Sequence, residues 1–328
     1  MKNIYRLSIL MVIVIAASCK KNVDTSTQST PPNTAVIKAP ADIRVVGYLI
    51  SDEIADGTAA SFNTSRINYL NITFTPDADG AFPVINNLDN IITAAHNNNT
   101  KVLISMGNGT PSSFIDTDTT AFINNLMNAI DEHNLDGIDV DLEGSHVDKY
   151  YQPFIASLST ALKAKGKLLT AAIATWESGR FTDGVLGYFD FFNVMSYDNT
   201  GPWDPGDPGP HSPYSMAVDD LDYWNNTRGI PKEKLNVGLP FYGYGFGKGV
   251  KVNYTYAEIV SEFPGAENVD SITVKQGGTI YYNGIPTIEK KCRLAQTSAG
   301  GVMIWELMQD ANNDKSLLTT IDKTLGGK

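Results

Sequence analysis

The chain has 328 residues, 42% of them hydrophobic and 19% charged, with 36 acidic against 25 basic side chains. That composition is globular and long enough to bury a full core, which excludes a low-complexity or disordered chain. The net charge of −11 argues against polyanionic ligands such as nucleic acid and favours a neutral or cationic one.

Taken in chain order, residues 1–18 come first: Lys2 and Arg6, an apolar run from Leu7 to Ile15, then Ala16-Ala17-Ser18 before Cys19. This is the pattern of an export signal, and its apolar run is too short to span a bilayer. Small residues followed by Cys resemble a bacterial lipobox, with an ordinary signal peptide as the alternative. The resemblance implies that Cys19 is lipidated, becomes the mature N-terminus and anchors the exported protein to a bacterial membrane, on the periplasmic or surface face of an outer membrane. Loss of residues 1–18 removes two basic residues and no acid, leaving 23 basic against 36 acidic, a net of −13. Residues 19–41 are Ser/Thr/Pro-rich and read as a flexible tether, and residues 42–328 as a single domain. With Cys19 lipidated only Cys292 remains, so no intramolecular disulfide is possible; Cys292 reads as a small core residue in a helix over 288–296.

Eight apolar runs read as strands: 43–50, 67–74, 101–107, 137–143, 168–174, 191–197, 235–242 and 301–307. Between them lie amphipathic segments, among them 87–97, 119–133, 149–165 and 216–228, each ending near Asn or Gly. Eight strands alternating with helices predict an α/β fold, a (β/α)8 TIM barrel. An open doubly wound sheet is the alternative, but no G-x-G-x-x-G follows the first strand. Two insertions stand out, a Pro/Gly-rich loop over 200–214 after the sixth strand and a modest segment over 246–286 between strands seven and eight. Both follow strand C-terminal ends, the face where barrels place their sites.

The segment Asp136–Glu143 reads D-G-I-D-V-D-L-E. Asp139, Asp141 and Glu143 alternate with Val140 and Leu142, so in a strand the three carboxyls share one face, roughly 6.6 Å apart. Three neighbouring carboxyls do not all ionise cheaply, and a Glu held protonated near neutral pH is what a general acid needs. Asp136 is out of phase and reads as a structural hydrogen-bonder. A calcium loop is the competing reading, since D-x-D-x-E-G opens like an EF-hand; Tyr150 stands where the bidentate Glu belongs. The four histidines include no H-x-x-x-H pair, so no metal and no cofactor are expected.

These residues resemble the signature of glycoside hydrolase family 18, the chitinases and their relatives. Residues 101–109, KVLISMGNG, are similar to the family's third-strand S-x-G-G motif, with Asn108 for the second Gly. NVMSYD (193–198) resembles its sixth-strand M-x-Y-D motif, and Thr200–Trp203 and Gly209–Tyr214 its following loop. LPFYG (239–243) and GVMIWE (301–306) resemble strands seven and eight. The resemblance implies retaining hydrolysis assisted by the substrate's own 2-acetamido group. Glu143 would be the acid and later the base, Asp141 would orient the acetamido N–H, and Asp139 would share a proton with Asp141. Tyr197 would donate to the acetamido oxygen, Asp198 would bind sugar hydroxyls, and Met195 of the same motif would line the site. Trp305 would floor the −1 subsite, with Trp203, Tyr242, Tyr48 and Trp176 as weaker platform candidates.

The chain departs from the family where Tyr242-Gly243-Tyr244 replaces Tyr-Gly-Arg, and where the segment between strands seven and eight is short enough to reduce any lobe there. A shallow, endo-acting groove on a monomer is the expectation. The expected substrate is chitin or a chitooligosaccharide; the alternatives are an endo-β-N-acetylglucosaminidase cutting N-glycan cores, and a lectin that holds sugar without cutting it. Retention of Glu143, Asp141 and Tyr197 disfavours the lectin.

Overall fold

The apolar runs close on themselves. In the computed structural model, which describes residues 43–59, 62–77, 80–107 and 119–327, the strands are β1 (Arg44–Ile50), β2 (Tyr69–Phe74), β3 (Lys101–Met106), β4 (Gly137–Val140), β5 (Leu168–Ile173), β6 (Phe191–Val194) and β7 (Leu235–Pro240). Then come β8 (Tyr242–Phe246), β9 (Asn253–Thr255), β10 (Ser271–Thr273), β11 (Thr279–Tyr281) and β12 (Gly301–Trp305). Strands β1 to β7 and β12 form a closed parallel barrel in chain order, β12 returning to pair with β1. The export segment, the tether, Cys19 and Asn108 lie outside the described residues, all of which belong to the compact unit 37–328.

The α-helices among the described residues are α1 (Ser51–Ala55), α2 (Leu88–Asn97), α3 (Thr120–Glu132), α4 (Tyr151–Ala164), α5 (Asp183–Leu186), α6 (Tyr214–Asp222), α7 (Tyr256–Glu262), α8 (Ile285–Ser298) and α9 (Leu317–Leu325), with short 3-10 and π turns between elements. Strand side chains alternate between two environments. Val45, Leu49, Ile138, Val140, Val302 and Ile304 join the large core under the helices, and Cys292 of α8 is buried there too. Val46, Tyr48, Phe191 and Met303 face the barrel interior instead, with Trp305 packed against them.

Several boundaries differ from the sequence reading; β2 begins at Tyr69, β6 ends at Val194 and β12 at Trp305, and three further differences shape the mouth. The ladder of β4 stops at Val140, not Glu143, because its neighbour β3 ends at Met106, whose carbonyl takes the Asp141 amide at 2.8 Å. The backbone stays extended beyond it, with Glu143 at φ −124° and ψ 167°, so the alternation survives. The seventh run divides: β7 ends at Pro240, and β8 leaves the barrel to join a four-stranded antiparallel sheet ordered β10-β11-β8-β9. That sheet and α7, opened by a Thr255–Glu258 capping box, make a small lobe beside the mouth. The helix read over 216–228 begins at Tyr214, just after Pro213, and ends in a π turn over Tyr223–Thr227.

Candidate active site

Register brings the first carboxyl to its partners. Ser105 of β3, Asp139 of β4 and Thr170 of β5 are paired neighbours on three adjacent strands, all facing inward. Asp139 Oδ2 accepts from Tyr48 Oη at 2.7 Å and Ser105 Oγ at 2.8 Å. Its Oδ1 accepts from Thr170 Oγ1 at 2.5 Å and Asn193 Nδ2 at 3.4 Å. Burial raises its proton affinity and the four donors only partly offset this.

Asp141 stands two residues nearer the mouth, with Oδ1 enclosed and without a hydrogen-bond partner. Burial first, then the charges of Glu143, Asp139 and Glu177, push it well above the usual carboxylate range. The burial and mutual repulsion of these carboxyls disfavour their ionising together. Tyr197, beside it, points its hydroxyl at Met303 Sδ, 3.8 Å away, a weak acceptor. Burial and the surrounding carboxylates keep that phenol protonated. Gly238 on β7 makes room for the ring, since a Cβ there would lie 2.9 Å from Tyr197 Cε1.

Glu143 lies where two cavities meet. One, of about 340 Å³, is lined by Glu143, Trp176, Met195, Tyr197, Asp198 and Trp203. The other, about 580 Å³, runs towards β1 and β2 past Asp141, Glu143 and Trp305. A third, about 340 Å³, lies against the lobe, lined by Asp198, Tyr242, Tyr244, Glu258 and Trp305 among others. Shared walls at Glu143, Asp198 and Trp305 make them one groove across the barrel mouth. Trp176 and Trp203 are 70% and 61% exposed in it, two rings open to solvent on the groove wall.

Asp198 adopts φ +63°, which turns its carboxylate toward the lobe. There Oδ1 accepts from Tyr242 Oη at 2.6 Å and Tyr244 Oη at 3.1 Å. His211 Nδ1 is 3.4 Å from the same oxygen, at ion-pair distance but without hydrogen-bond geometry, and burial keeps its ring neutral. The loop carrying His211 is clamped by the buried Lys291, which donates to Ser212 O, Ser212 Oγ and Asn283 Oδ1.

The sequence candidates thus separate. Asp141, Glu143, Tyr197, Asp198, Met195, Trp305, Trp203, Trp176 and Tyr242 line the groove at the mouth, and Asp139 lies beneath them, buried in the barrel interior. Tyr48 does not reach the groove: it is 1% exposed, under Trp305 at 5.4 Å between rings, with its hydroxyl committed to Asp139. The assignment of Tyr48 as a sugar platform is corrected to a group holding Asp139. Asp136 accepts from His96 Nε2 at 2.9 Å and the Val102 amide at 2.8 Å, away from the groove. Sequence reasoning missed Ser105, Thr170, Asn193, Glu177 and Tyr244. Ser105, Asn193 and Tyr244 lie within the segments 101–109, 193–198 and 242–244 already singled out, so the signal was there without a role attached; for Thr170 and Glu177 no local pattern existed. Among the described residues no cluster of His, Cys, Asp and Glu is built to hold a metal ion.

The model of the family described as Glycosyl hydrolases family 18 matches residues 44–310. Among solved structures, the chain resembles the GH18 chitinase ChiB from the chitin utilization locus of Flavobacterium johnsoniae, at 35% identity and TM-score 0.79, covering 87% of this chain and 94% of that one. It also resembles a chitinase from Bacteroides thetaiotaomicron, at 29% identity and TM-score 0.76, over 86% and 96%. A curated relative, Probable chitinase 10 of Drosophila melanogaster, is 27% identical over 149 residues, which is 38% of this chain and only 6% of that protein.

Proposed function

The chain belongs to glycosyl hydrolase family 18 and is a chitinase-type glycosidase, and from that premise we propose that it cleaves β-1,4 bonds after N-acetylglucosamine by substrate-assisted, retaining hydrolysis. The observation that carries this reading is the unpaired, enclosed Oδ1 of Asp141 between Glu143 and the loosely engaged Tyr197 hydroxyl. A 2-acetamido group offers what both lack, an N–H for Asp141 and a carbonyl oxygen for Tyr197.

In this mechanism Glu143 gives its proton to the glycosidic oxygen as the C1–O bond breaks. The acetamido carbonyl oxygen attacks C1 and closes an oxazolinium ring. Asp141 accepts from the acetamido N–H and offsets the positive charge, while Asp139 tunes the charge that Asp141 carries. Glu143, now a carboxylate, takes a proton from water, whose oxygen attacks C1 and reopens the ring with configuration retained. Trp305 floors the reacting subsite. Cavities on both sides of Glu143 favour internal cleavage of chitin or a chitooligosaccharide. The Ala16-Ala17-Ser18-Cys19 segment supports an exported, lipid-anchored enzyme, tested by labelling with radioactive palmitate, which C19A should abolish.

The test is mass spectrometry of products from chitohexaose and from a high-mannose N-glycopeptide, with E143Q as control. Internal cleavage of chitohexaose, lost in E143Q while binding persists, is the expected result. Release of the glycan with one N-acetylglucosamine left on the peptide would transfer the enzyme to N-glycans. Binding of both without cleavage would overturn the reading in favour of a lectin.

A further inference from the structure

The short turn after β5, Thr175–Arg180, sends two neighbours in opposite directions. Trp176 projects into the groove, whereas Glu177 turns inward and is 3% exposed. Glu177 Oε2 accepts the Gly144 N–H at 2.7 Å, and its Oε1 is buried without a partner. Gly144 directly follows Glu143 and takes φ +59°, where the chain bends into the turn Gly144–His146. A carboxyl buried with half its acceptors unused is destabilising, and one amide does not explain its presence.

We propose that Glu177 is a positioning residue for Glu143, holding the backbone on which that acid stands and opposing the loss of its proton. The inference rests on the reading of Glu143 as general acid. Geometrically, the Glu177–Gly144 bond stops the peptide after Glu143 from rotating, which sets where the Glu143 side chain leaves the backbone. Electrostatically, the two carboxyls repel. Burial chiefly, with the charge of Glu143, raises Glu177 to about 7 against the opposing pull of the Gly144 amide and Arg180. Repulsion is reciprocal, so Glu177 once ionised makes the Glu143 proton harder to remove, and the two titrate as a pair. The groups facing Glu177 are Glu143 and Asp141 at the exit of β4, Tyr151 of α4 and Arg180 of its own turn. Arg228 grips the same turn through the carbonyls of Ser178 and Phe181.

Two variants separate geometry from charge. E177Q keeps an oxygen for the Gly144 amide but no charge, and E177D keeps the charge but withdraws it by one methylene. On chitohexaose, E177Q should retain the plateau kcat within about twofold while its alkaline limb moves down by about one pH unit. E177D should leave the limb in place and lower kcat about tenfold. Any other combination overturns the proposal. If E177Q does not melt cooperatively, E177D alone decides on the same two readouts. Carbon-13 carboxyl titration of Glu143 in the wild type and E177Q reads the coupling without turnover, and an unchanged midpoint overturns the proposal even in an active enzyme. A wild type that leaves chitohexaose uncut would overturn the hydrolase reading and leave that titration interpretable.

Discussion

The Tyr48 hydroxyl donates to Asp139 Oδ2 at 2.7 Å across the barrel interior, although 91 residues separate the two in the chain. Tyr48 is itself the end of a directed series. Arg44 Nε donates to Asn236 Oδ1 at 3.0 Å, Asn236 Nδ2 to Asn193 Oδ1 at 2.9 Å, and Asn193 Nδ2 to Tyr48 Oη at 2.9 Å. Each amide must face one way for the next link to form, so a cation at one end and a carboxyl at the other define the sense of the whole chain. With Ser105 of β3 and Thr170 of β5, this series through β1, β6 and β7 orients the innermost acid of the site from five other strands.

Y48F tests that chain. Phenylalanine fills the same volume but leaves Asn193 Nδ2 with only its longer bond to Asp139 Oδ1 at 3.4 Å, and Asp139 without one donor. Thermal or urea unfolding should show a loss of about 1–3 kcal/mol. Because the lost bond favoured ionised Asp139, that carboxyl should hold its proton to higher pH. The acidic limb of the activity profile should accordingly rise, and an unmoved limb would mean that the charge on Asp139 does not govern turnover.

Trp176 and Trp203 should matter for binding far more than for folding, since both are largely exposed. W176A and W203A are expected to raise KM about tenfold each, from the loss of about 1–2 kcal/mol of ring contact, with melting temperature nearly unchanged. G201A offers an indirect test. A Cβ at Gly201 would lie 2.3 Å from the Trp203 ring, so alanine must displace that indole and reproduce part of the W203A defect. Normal KM in all three variants would remove these rings from the substrate path.

Glu306, next to Trp305, predicts a pH-dependent stability. It is 1% exposed, its Oε2 accepts the Met308 amide at 2.8 Å, and its Oε1 has no partner. Burial chiefly, with the nearby Glu53 charge, raises it to about 7 from 4.5. The folded state therefore binds the proton more tightly than the unfolded chain. Its contribution is full below pH 4.5 and is lost as pH rises to 7. Between pH 4 and 8 the wild type should lose about 3 kcal/mol relative to E306Q, whose amide still accepts from Met308. Parallel stability curves for the two proteins would refute this.

What the sequence determined by itself is local. Asp139, Asp141 and Glu143 fall on one face because side chains alternate along any extended backbone, whether or not the ladder continues to Glu143. The eight strands were legible because a barrel strand is apolar on both sides, and the Trp-bearing loop announced itself by its Pro and Gly content. Tertiary structure decided everything that depends on which strands stand side by side. Ser105, Thr170, Tyr48 and Asn193 converge on Asp139 from β3, β5, β1 and β6, and no spacing along the chain encodes that meeting. Tyr48 read as a platform because its sequence neighbourhood does not reveal that Trp305 covers it. Glu177 and Trp176 differ by one position, yet one is buried under Glu143 and the other stands in solvent. The physical reason is that hydrogen-bond partnership and burial are set by distances across the barrel, which the closure of the sheet creates and the linear order of residues does not contain.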